Sequence, residues 1–128
     1  MNLPLFTRVD TVFLPVRDLE SAVDWYQRTL GLELLWQVEG AACLRLDQTP
    51  LTLLQHGFPG HSEAPDGHVF RPVDQVVFNL FVHDIEAAHR LLADAGAQVG
   101  DLEDHGEVRD FTFRDPDGNC LGVCWWPE

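Results

Sequence analysis

Two stretches of the chain, 66 residues apart, show the same alternation of hydrophobic and polar positions. Residues 11–16 and 77–82 each place aliphatic or aromatic side chains on one face and mixed side chains on the other, which predicts a β-strand whose two faces meet different surroundings. Apolar residues then recur at helical spacing over residues 19–30 and 85–95, so an amphipathic helix is expected after each strand. Three short strand candidates follow each helix: residues 32–38, 41–46 and 51–56 in the first copy, and 97–101, 107–114 and 119–126 in the second.

Residues that start and stop helices stand at the ends of both helical stretches. Asp18 and Asp84 are suitable N-caps, because a short carboxylate side chain accepts a hydrogen bond from the first turn of a helix. Gly31 and Gly96 follow the last apolar positions and supply the left-handed backbone that ends a helix. Residues 115–119, Asp-Pro-Asp-Gly-Asn, predict a turn between the last two strands.

The start of each helix also belongs to an internal repeat. Residues 16–22, Val-Arg-Asp-Leu-Glu-Ser-Ala, are echoed by residues 82–88, Val-His-Asp-Ile-Glu-Ala-Ala. A chain of 128 residues that is 45% hydrophobic is long enough for one core and short for two independent domains. We therefore predict an α+β fold in one domain, residues 1–128, made of two tandem βαβββ units: unit one about residues 8–56, a linker about 57–74, and unit two about 75–126.

Each predicted unit leaves one face of its sheet uncovered. A helix can cover only one face of a four-stranded sheet, and two such units can cover each other's open faces. We expect the two sheets to enclose a cupped ligand cavity in this way.

The net charge of the chain limits the classes of molecule that the protein is expected to bind. The chain has 21 acidic residues and eight basic ones, all arginine, for a net charge of -13. This balance excludes nucleic acid and anionic membranes as expected partners, because binding phosphate requires positive potential. Two interpretations of the acidity stay open: solubility alone, or attraction of a cationic ligand.

Nothing in the sequence predicts a membrane segment or an exported protein. No stretch approaches the roughly eighteen apolar residues of a membrane helix, and the first residues lack the features of a secretion signal. The three cysteines, Cys43, Cys120 and Cys124, show no spacing typical of a redox pair or a zinc site. We expect free thiols and a cytoplasmic protein.

Three segments together resemble a known family: residues 12–22 (Val-Phe-Leu-Pro-Val-Arg-Asp-Leu-Glu-Ser-Ala), Trp25-Tyr26 with Leu30-Gly31, and residues 111–119 (Phe-Thr-Phe-Arg-Asp-Pro-Asp-Gly-Asn). They are similar to the vicinal oxygen chelate superfamily, which includes glyoxalase I, ring-cleaving dioxygenases, fosfomycin-resistance transferases and bleomycin-resistance proteins. The resemblance implies paired βαβββ units whose cavity lies within one chain or across a homodimer, and we expect the homodimer. It also implies a divalent ion held by His, Gln or Glu from both units, where such ligands are present.

The residues at the family's metal positions are not metal ligands. The resemblance maps these positions to Thr11, Leu53, Val77 and Gly122. Moving the register by one residue reaches Asp10 beside Thr11 and otherwise only the non-ligands Thr52, Leu54, Val76, Phe78, Leu121 and Val123. We therefore predict neither the family's usual metal nor any other cofactor. A separate metal cluster formed by linker histidines is the alternative, and its members would be His56, His61 and His68.

Strand alternation predicts which side chains face the cavity. The set is mostly apolar with a few polar anchors, as is typical of a small-molecule site. Leu51 faces the cavity by the same alternation, and the candidate ligand-binding residues are Thr11, Phe13, Trp36, Cys43, Arg45, Leu53, Gln55, Val77, Asn79, Phe81, Asp110, Thr112, Cys120, Gly122 and Cys124.

Several of these residues carry a more specific expectation. Phe13, Phe81, Trp36 or Trp126 can stack on a planar ligand, and Asp110 can meet a cationic group. Gly122 stands where the family usually has a glutamate. Two interpretations stay open: the glycine removes a charge and leaves space for a ring of the ligand, or it is a simple packing adjustment. An internal salt bridge and a contact with a ligand carboxylate are both open for Arg45.

These features predict a metal-independent small-molecule-binding protein that confers antibiotic resistance by sequestering a bleomycin-like cationic drug or a planar aromatic drug. The alternative is a glyoxalase-, lyase- or dioxygenase-like enzyme that acts on a small oxygenated substrate. Such an enzyme needs a general base in the cavity, for which Asp110, His56 or a cysteine are the candidates.

Overall fold

The computed structural model describes residues 4–57 and 69–128. The first unit contains one helix and four strands: β1 (Val12–Val16), α1 (Leu19–Leu30), β2 (Leu34–Val38), β3 (Ala41–Leu44) and β4 (Leu51–Gln55). The second contains one helix and five strands: β5 (Asn79–Phe81), α2 (Ile85–Asp94), β6 (Gln98–Val99), β7 (Glu103–Asp104), β8 (Arg109–Arg114) and β9 (Cys120–Trp125).

Each unit forms its own sheet. The strand order is β1-β4-β3-β2 in the first sheet and β5-β9-β8-β6 in the second, where β7 also pairs with β8. In both sheets the strand before the helix pairs in parallel with the last strand of its unit. The α+β fold of two duplicated units is therefore confirmed. The strand predicted at residues 107–114 starts at Arg109, and the short additional strand β7 precedes it.

The two helices begin in different ways. The Asp84 side chain caps α2 and accepts a hydrogen bond from the Ala87 N–H at 3.0 Å, as expected. Asp18 holds the corresponding position before α1, but its side chain makes no capping hydrogen bond. The Leu19 N–H instead donates to Oε1 of Gln55 at 3.1 Å. Gln55 was predicted to face the cavity, and this prediction is wrong because its amide caps the helix on the other side of the sheet.

The orientation predicted for the whole of β4 is also wrong, because the residues expected to face the cavity face the helix instead. Strand β4 pairs with β1 so that Leu51 lies beside Val12 and Leu53 lies beside Leu14. Leu51, Leu53 and Leu14 are fully buried in the core, so Leu53 packs on the helix-bearing side of the sheet. Residue Thr52 takes the position on the open side.

One hydrophobic cluster joins the two units. It contains buried side chains from both helices and both sheets, and the Trp25 ring on α1 lies 6.3 Å from the Phe113 ring on β8. Within the described chain, the units therefore share a core on their helix-bearing sides.

The predicted turn at residues 115–119 also links the units. The buried Tyr26 hydroxyl donates to Oδ2 of Asp115 at 2.7 Å, and the Asn119 amide nitrogen donates to the Pro15 carbonyl at 2.7 Å. Arg17 donates its backbone N–H to Asp117 Oδ1 at 2.9 Å, while burial raises the pKa of the Asp117 carboxyl. The turn thus bonds to both the strand and the helix of the first unit.

The open sides of the sheets remain accessible. On them, Phe13 is 56% exposed and Trp36 is 47% exposed, and Val77, just before β5, is 71% exposed. The open faces are therefore not fully covered within one chain, and the described part of the monomer does not show the expected cupped cavity. No helix among the described residues is long and apolar enough to span a membrane.

Candidate functional site

A groove of about 730 Å³ lies between the first and second units. One wall comes from Val9, Val12 and the turn of residues 46–51, and the other from residues 78–81 and His83. Trp126 and Glu128 at the end of the chain complete the second wall. The groove falls in the size range of small-molecule sites and combines apolar walls with a few polar groups.

Three aromatic rings form a corner of this groove. The Phe81 ring lies 5.3 Å from the Trp126 ring at an interplanar angle of 85° and 5.1 Å from the His83 ring at 69°. These are edge-to-face contacts, which leave the face of a ring available to a further aromatic group. Trp126 is 45% exposed, so the corner is open to a ligand.

Acidic side chains stand on both walls of the groove. Oε1 of Glu128 lies 3.7 Å from Nδ1 of His83. On the opposite wall, Asp47 adopts a positive φ of 39° in the turn before β4, a conformation that Asp tolerates better than most residues. The Thr49 N–H donates to the Leu46 carbonyl at 3.0 Å and closes this turn. The groove therefore combines apolar and aromatic walls with negative charge, which suits a cationic ligand.

Gly122 does not leave empty space. A Cβ at this position would overlap Oδ1 of Asn79 and lie 2.9 Å from Cγ1 of Val76. Asn79 is the direct cross-strand partner of Gly122, and its side chain lies over the glycine. The expectation of room for a ring at Gly122 is wrong, and the glycine permits a close approach of Asn79, which itself lines the groove.

The equivalent position in the first sheet is also filled. The hydroxyl oxygens of Thr11 and Thr52 lie 2.7 Å apart, and the Thr11 hydroxyl donates to the Pro50 carbonyl at 2.8 Å. The family's divalent ion needs His, Gln or Glu ligands at these positions in both units. Paired threonine hydroxyls and a glycine covered by Asn79 do not fit that ion.

Other candidate residues lie on the open faces away from the groove. Cys43 is buried opposite Trp36 on β2, and Cys120 is also buried. Arg45 forms an ion pair with Glu33 at 2.6 Å. Of the two interpretations of Arg45, the structure therefore shows the internal salt bridge. Thr112 is exposed on β8.

Cys124 and Asp110 face each other across β8 and β9. Burial, and secondarily the Asp110 charge, raise the pKa of the Cys124 thiol, which favours the protonated and weakly nucleophilic form. All three cysteines are free. Asp110 does have a partner that the sequence did not reveal, since its Oδ1 lies 3.3 Å from Nε2 of His105.

The predicted ligand-binding residues thus divide into separate groups. Asn79 and Phe81 lie on the open face of the second sheet and line the groove. Leu53 and Gln55 lie on the helix-bearing side, and the others lie on the open faces outside the groove. Sequence alternation missed His83, Asp47 and Glu128, because turns and chain ends have no periodic pattern. In the alternative histidine cluster, His61 and His68 lie outside the described residues. His56 directly follows β4, and its ring lies 5.4 Å from the Phe70 ring.

This chain belongs to the Glyoxalase/Bleomycin resistance protein/Dioxygenase superfamily, whose family model matches residues 8–123. Among curated proteins no match was found. Among solved structures, one similar protein is TnmS3, an antibiotic binding protein from Streptomyces sp. CB03234, with 24% identity and a TM-score of 0.79 over 98% of this chain and 100% of that chain.

Two further solved structures support the same fold. A superfamily member from Sphaerobacter thermophilus DSM 20745 has 24% identity and a TM-score of 0.78 over 95% of this chain and 99% of that chain. A glyoxalase/bleomycin resistance protein from Streptomyces sp. CB03234 has 27% identity and a TM-score of 0.70 over 91% of this chain and 98% of that chain.

Proposed function

We propose that this protein binds a small antibiotic, either a bleomycin-like cationic drug or a planar aromatic drug, and confers resistance by sequestering it in the cytoplasm. The observation that carries the proposal is the aromatic corner of Phe81, His83 and Trp126 in the groove of about 730 Å³. An aromatic ligand gains both apolar burial and edge-to-face or stacked contacts in such a corner.

Charge favours a cationic group on the ligand. Asp47 and Glu128 lie on opposite walls of the groove, and the whole chain carries a net charge of -13. This potential attracts a cation and raises its local concentration. TnmS3, a protein of similar fold, is an antibiotic binding protein, which supports an antibiotic as the ligand.

The proposed binding does not use the family's usual metal. Thr11 and Thr52 bond to each other, and Asn79 covers Gly122, so the ligands of that ion are replaced in both units. The ligand is held instead by ring contacts, burial and acidic groups.

We also propose that residues 1–128 act as one domain and assemble as a homodimer. The open faces carry exposed apolar side chains such as Phe13, Trp36 and Val77, and a second copy of the chain would cover them. In this homodimer the predicted site residues on these faces that do not line the groove would lie at the contact between the two copies and not beside the ligand. Sedimentation velocity of wild type and of Phe13→Asp tests this part, and a monomeric wild-type protein would contradict it.

The experiment for the binding function combines metal analysis with ligand titration. Tryptophan fluorescence is followed while a bleomycin-type drug and a planar polycyclic drug are added, with and without chelator. We expect saturable quenching that chelator does not change, because Trp126 lies in the groove. Stoichiometric metal together with chelator-sensitive binding would overturn the proposal, as would the absence of binding by both drug types.

A second candidate function is a glyoxalase-, lyase- or dioxygenase-like enzyme acting on a small oxygenated substrate. It is favoured by one observation, the contact between His105 and Asp110, since an imidazole beside a carboxylate is a common general base. Catalytic turnover that disappears in His105→Gln would favour this candidate over sequestration.

A further inference from the structure

Three potential metal ligands converge on the open side of the second sheet. Glu103 on β7 is directly paired with Asp110 on β8, so their side chains share one face. Nε2 of His105 lies 3.3 Å from Oδ1 of Asp110 and 3.7 Å from Oε2 of Glu103. One ligand atom from each residue lies within 4.8 Å of the other two.

The backbone fixes the turn that carries the imidazole. The His105 N–H donates to the Val108 carbonyl at 2.8 Å, and the Gly106 N–H donates to Oδ1 of Asp104 at 2.8 Å. Gly106 has a φ of 96°, which a residue with a side chain rarely adopts. These contacts hold His105 above the two carboxylates without using its ring.

Among the residues that the structure describes, no arginine forms an ion pair with Glu103 or Asp110. Like charges directly opposite each other on neighbouring strands are destabilising. The nearby Arg109 lies against Glu86 at 3.3 Å and Asp104 at 3.9 Å, and it makes no ion pair with either member of the pair. Within residues 4–57 and 69–128, His105 alone forms ion-pair contacts with both Glu103 and Asp110.

We propose that Glu103, His105 and Asp110 bind a divalent transition-metal ion that accepts mixed nitrogen and oxygen ligands, with Zn²⁺ as the best match. One imidazole and two carboxylates are ordinary Zn²⁺ ligands, and three protein ligands leave a coordination position for water. Bonds of about 2.1 Å in a tetrahedral site place ligand atoms about 3.4 Å apart. The two distances from the imidazole, 3.3 and 3.7 Å, are already close to this value.

The remaining adjustment is small because the side chains are accessible. Those of His105, Glu103 and Asp110 are 52%, 63% and 39% exposed, so a rotamer change can bring the two carboxylates together around the ion. The ion would also neutralise the repulsion between them.

This cation site is separate from the drug groove and from the positions of the family's usual metal. None of its three residues lines the groove. Asp110 lies opposite Cys124, which lies beside Phe81, so two strand spacings, about 10 Å, separate the site from the aromatic corner. Failure of drug binding and failure of cation binding are therefore distinguishable.

The test is calorimetric titration of the chelator-treated protein with Zn²⁺ at neutral pH. We expect one equivalent to bind, and we expect His105→Gln and Asp110→Asn each to weaken binding by at least about tenfold, because even loss of an outer-shell partner has an effect of this size. Glu107→Gln is the matched control, since Glu107 belongs to the same turn but not to the cluster, and it should bind Zn²⁺ as wild type does.

A second measurement locates the ion independently of affinity. Mn²⁺ added to isotope-labelled protein should broaden the amide resonances of residues 103–110 in wild type and leave them sharp in His105→Gln. Absence of Zn²⁺ uptake would overturn the proposal. Uptake that is unchanged in both cluster variants would also overturn it, because the ion would then lie elsewhere.

Discussion

The hydrogen bond between Tyr26 and Asp115 should be a principal link between the two units, and Tyr26→Phe tests this. Tyr26 is fully buried and Asp115 is 4% exposed, with 2.7 Å between the hydroxyl and Oδ2 of the carboxylate. The substitution removes only the hydroxyl and keeps the ring that packs in the core.

The expected loss follows from the remaining partners of Asp115. A hydrogen bond to a charged group contributes about 1.5–3 kcal/mol. Asp115 would keep the N–H groups of Asp117 and Asn119, at 2.9 and 2.8 Å, and the Asn119 amide at 2.9 Å. Because the carboxylate stays hydrogen-bonded, we expect a loss of about 2 kcal/mol in the free energy of unfolding, which is a fall of about 6 °C in Tm for a chain of this size.

Urea and thermal unfolding measure this loss, and a double-mutant cycle with Asp115→Asn shows whether it belongs to the pair. In the Asp115→Asn background, Tyr26→Phe should lower the free energy of unfolding by a smaller amount, because the acceptor is no longer charged. A Tyr26→Phe protein within about 0.5 kcal/mol of wild type, the range of ordinary surface substitutions, would refute this account of the link.

Three further predictions concern the same structure. Burial and the Asp115 charge raise the pKa of Tyr26 well above the ordinary tyrosine value of 10.0, so the unfolded chain loses this proton first and the free energy of unfolding should fall as pH rises past 10.0. Tyr26 is the only tyrosine, so its ultraviolet absorbance should titrate at higher pH in the native protein than in urea, and coincident curves would contradict this. Gln55→Ala should destabilise the protein by about 1 kcal/mol in urea unfolding through loss of the α1 cap, whereas Asp18→Ala should have a smaller effect; the reverse order would show that Asp18 is the cap. Gly122→Ala should lower the free energy of unfolding by about 1–3 kcal/mol because the new methyl group displaces Asn79. This loss should be smaller in an Asn79→Ala background, and equal losses in both backgrounds would exclude the contact with Asn79 as the cause.

The sequence predicted the parts of the fold that repeat. The echo of residues 16–22 in residues 82–88 located both helices, and the cap at Asp84 and the left-handed Gly31 are as expected. Helical spacing and capping residues are local signals, so they survive in a single sequence.

The side of the sheet that β4 residues occupy could not be predicted in the same way. Residues 51–54, Leu-Thr-Leu-Leu, are apolar on both faces, and a shift of one residue exchanges the faces. Only the parallel pairing with β1 determines that Leu53 is buried against the helix.

The site itself depended on contacts between distant residues. The contact of Asn79 with Gly122 and that of His105 with Asp110 depend on side-chain direction across neighbouring strands, which periodicity does not give. The groove forms because Trp126 and Glu128 lie opposite the turn before β4. Sequence spacing carries no information on contacts between segments so far apart in the chain.

Calorimetry can locate the ligand by comparing the affinity of a planar cationic drug for wild type, Phe81→Ala and Phe13→Ala. Phe81 belongs to the aromatic corner, whereas Phe13 is an exposed ring on the open face of the first sheet. We expect Phe81→Ala to lose about 2 kcal/mol of binding free energy, roughly thirtyfold in Kd, through lost burial and ring contacts, and we expect Phe13→Ala to bind as wild type does. Unchanged binding by Phe81→Ala with weakened binding by Phe13→Ala would contradict this, because the ligand would then lie on the open face of the first sheet and not in the groove.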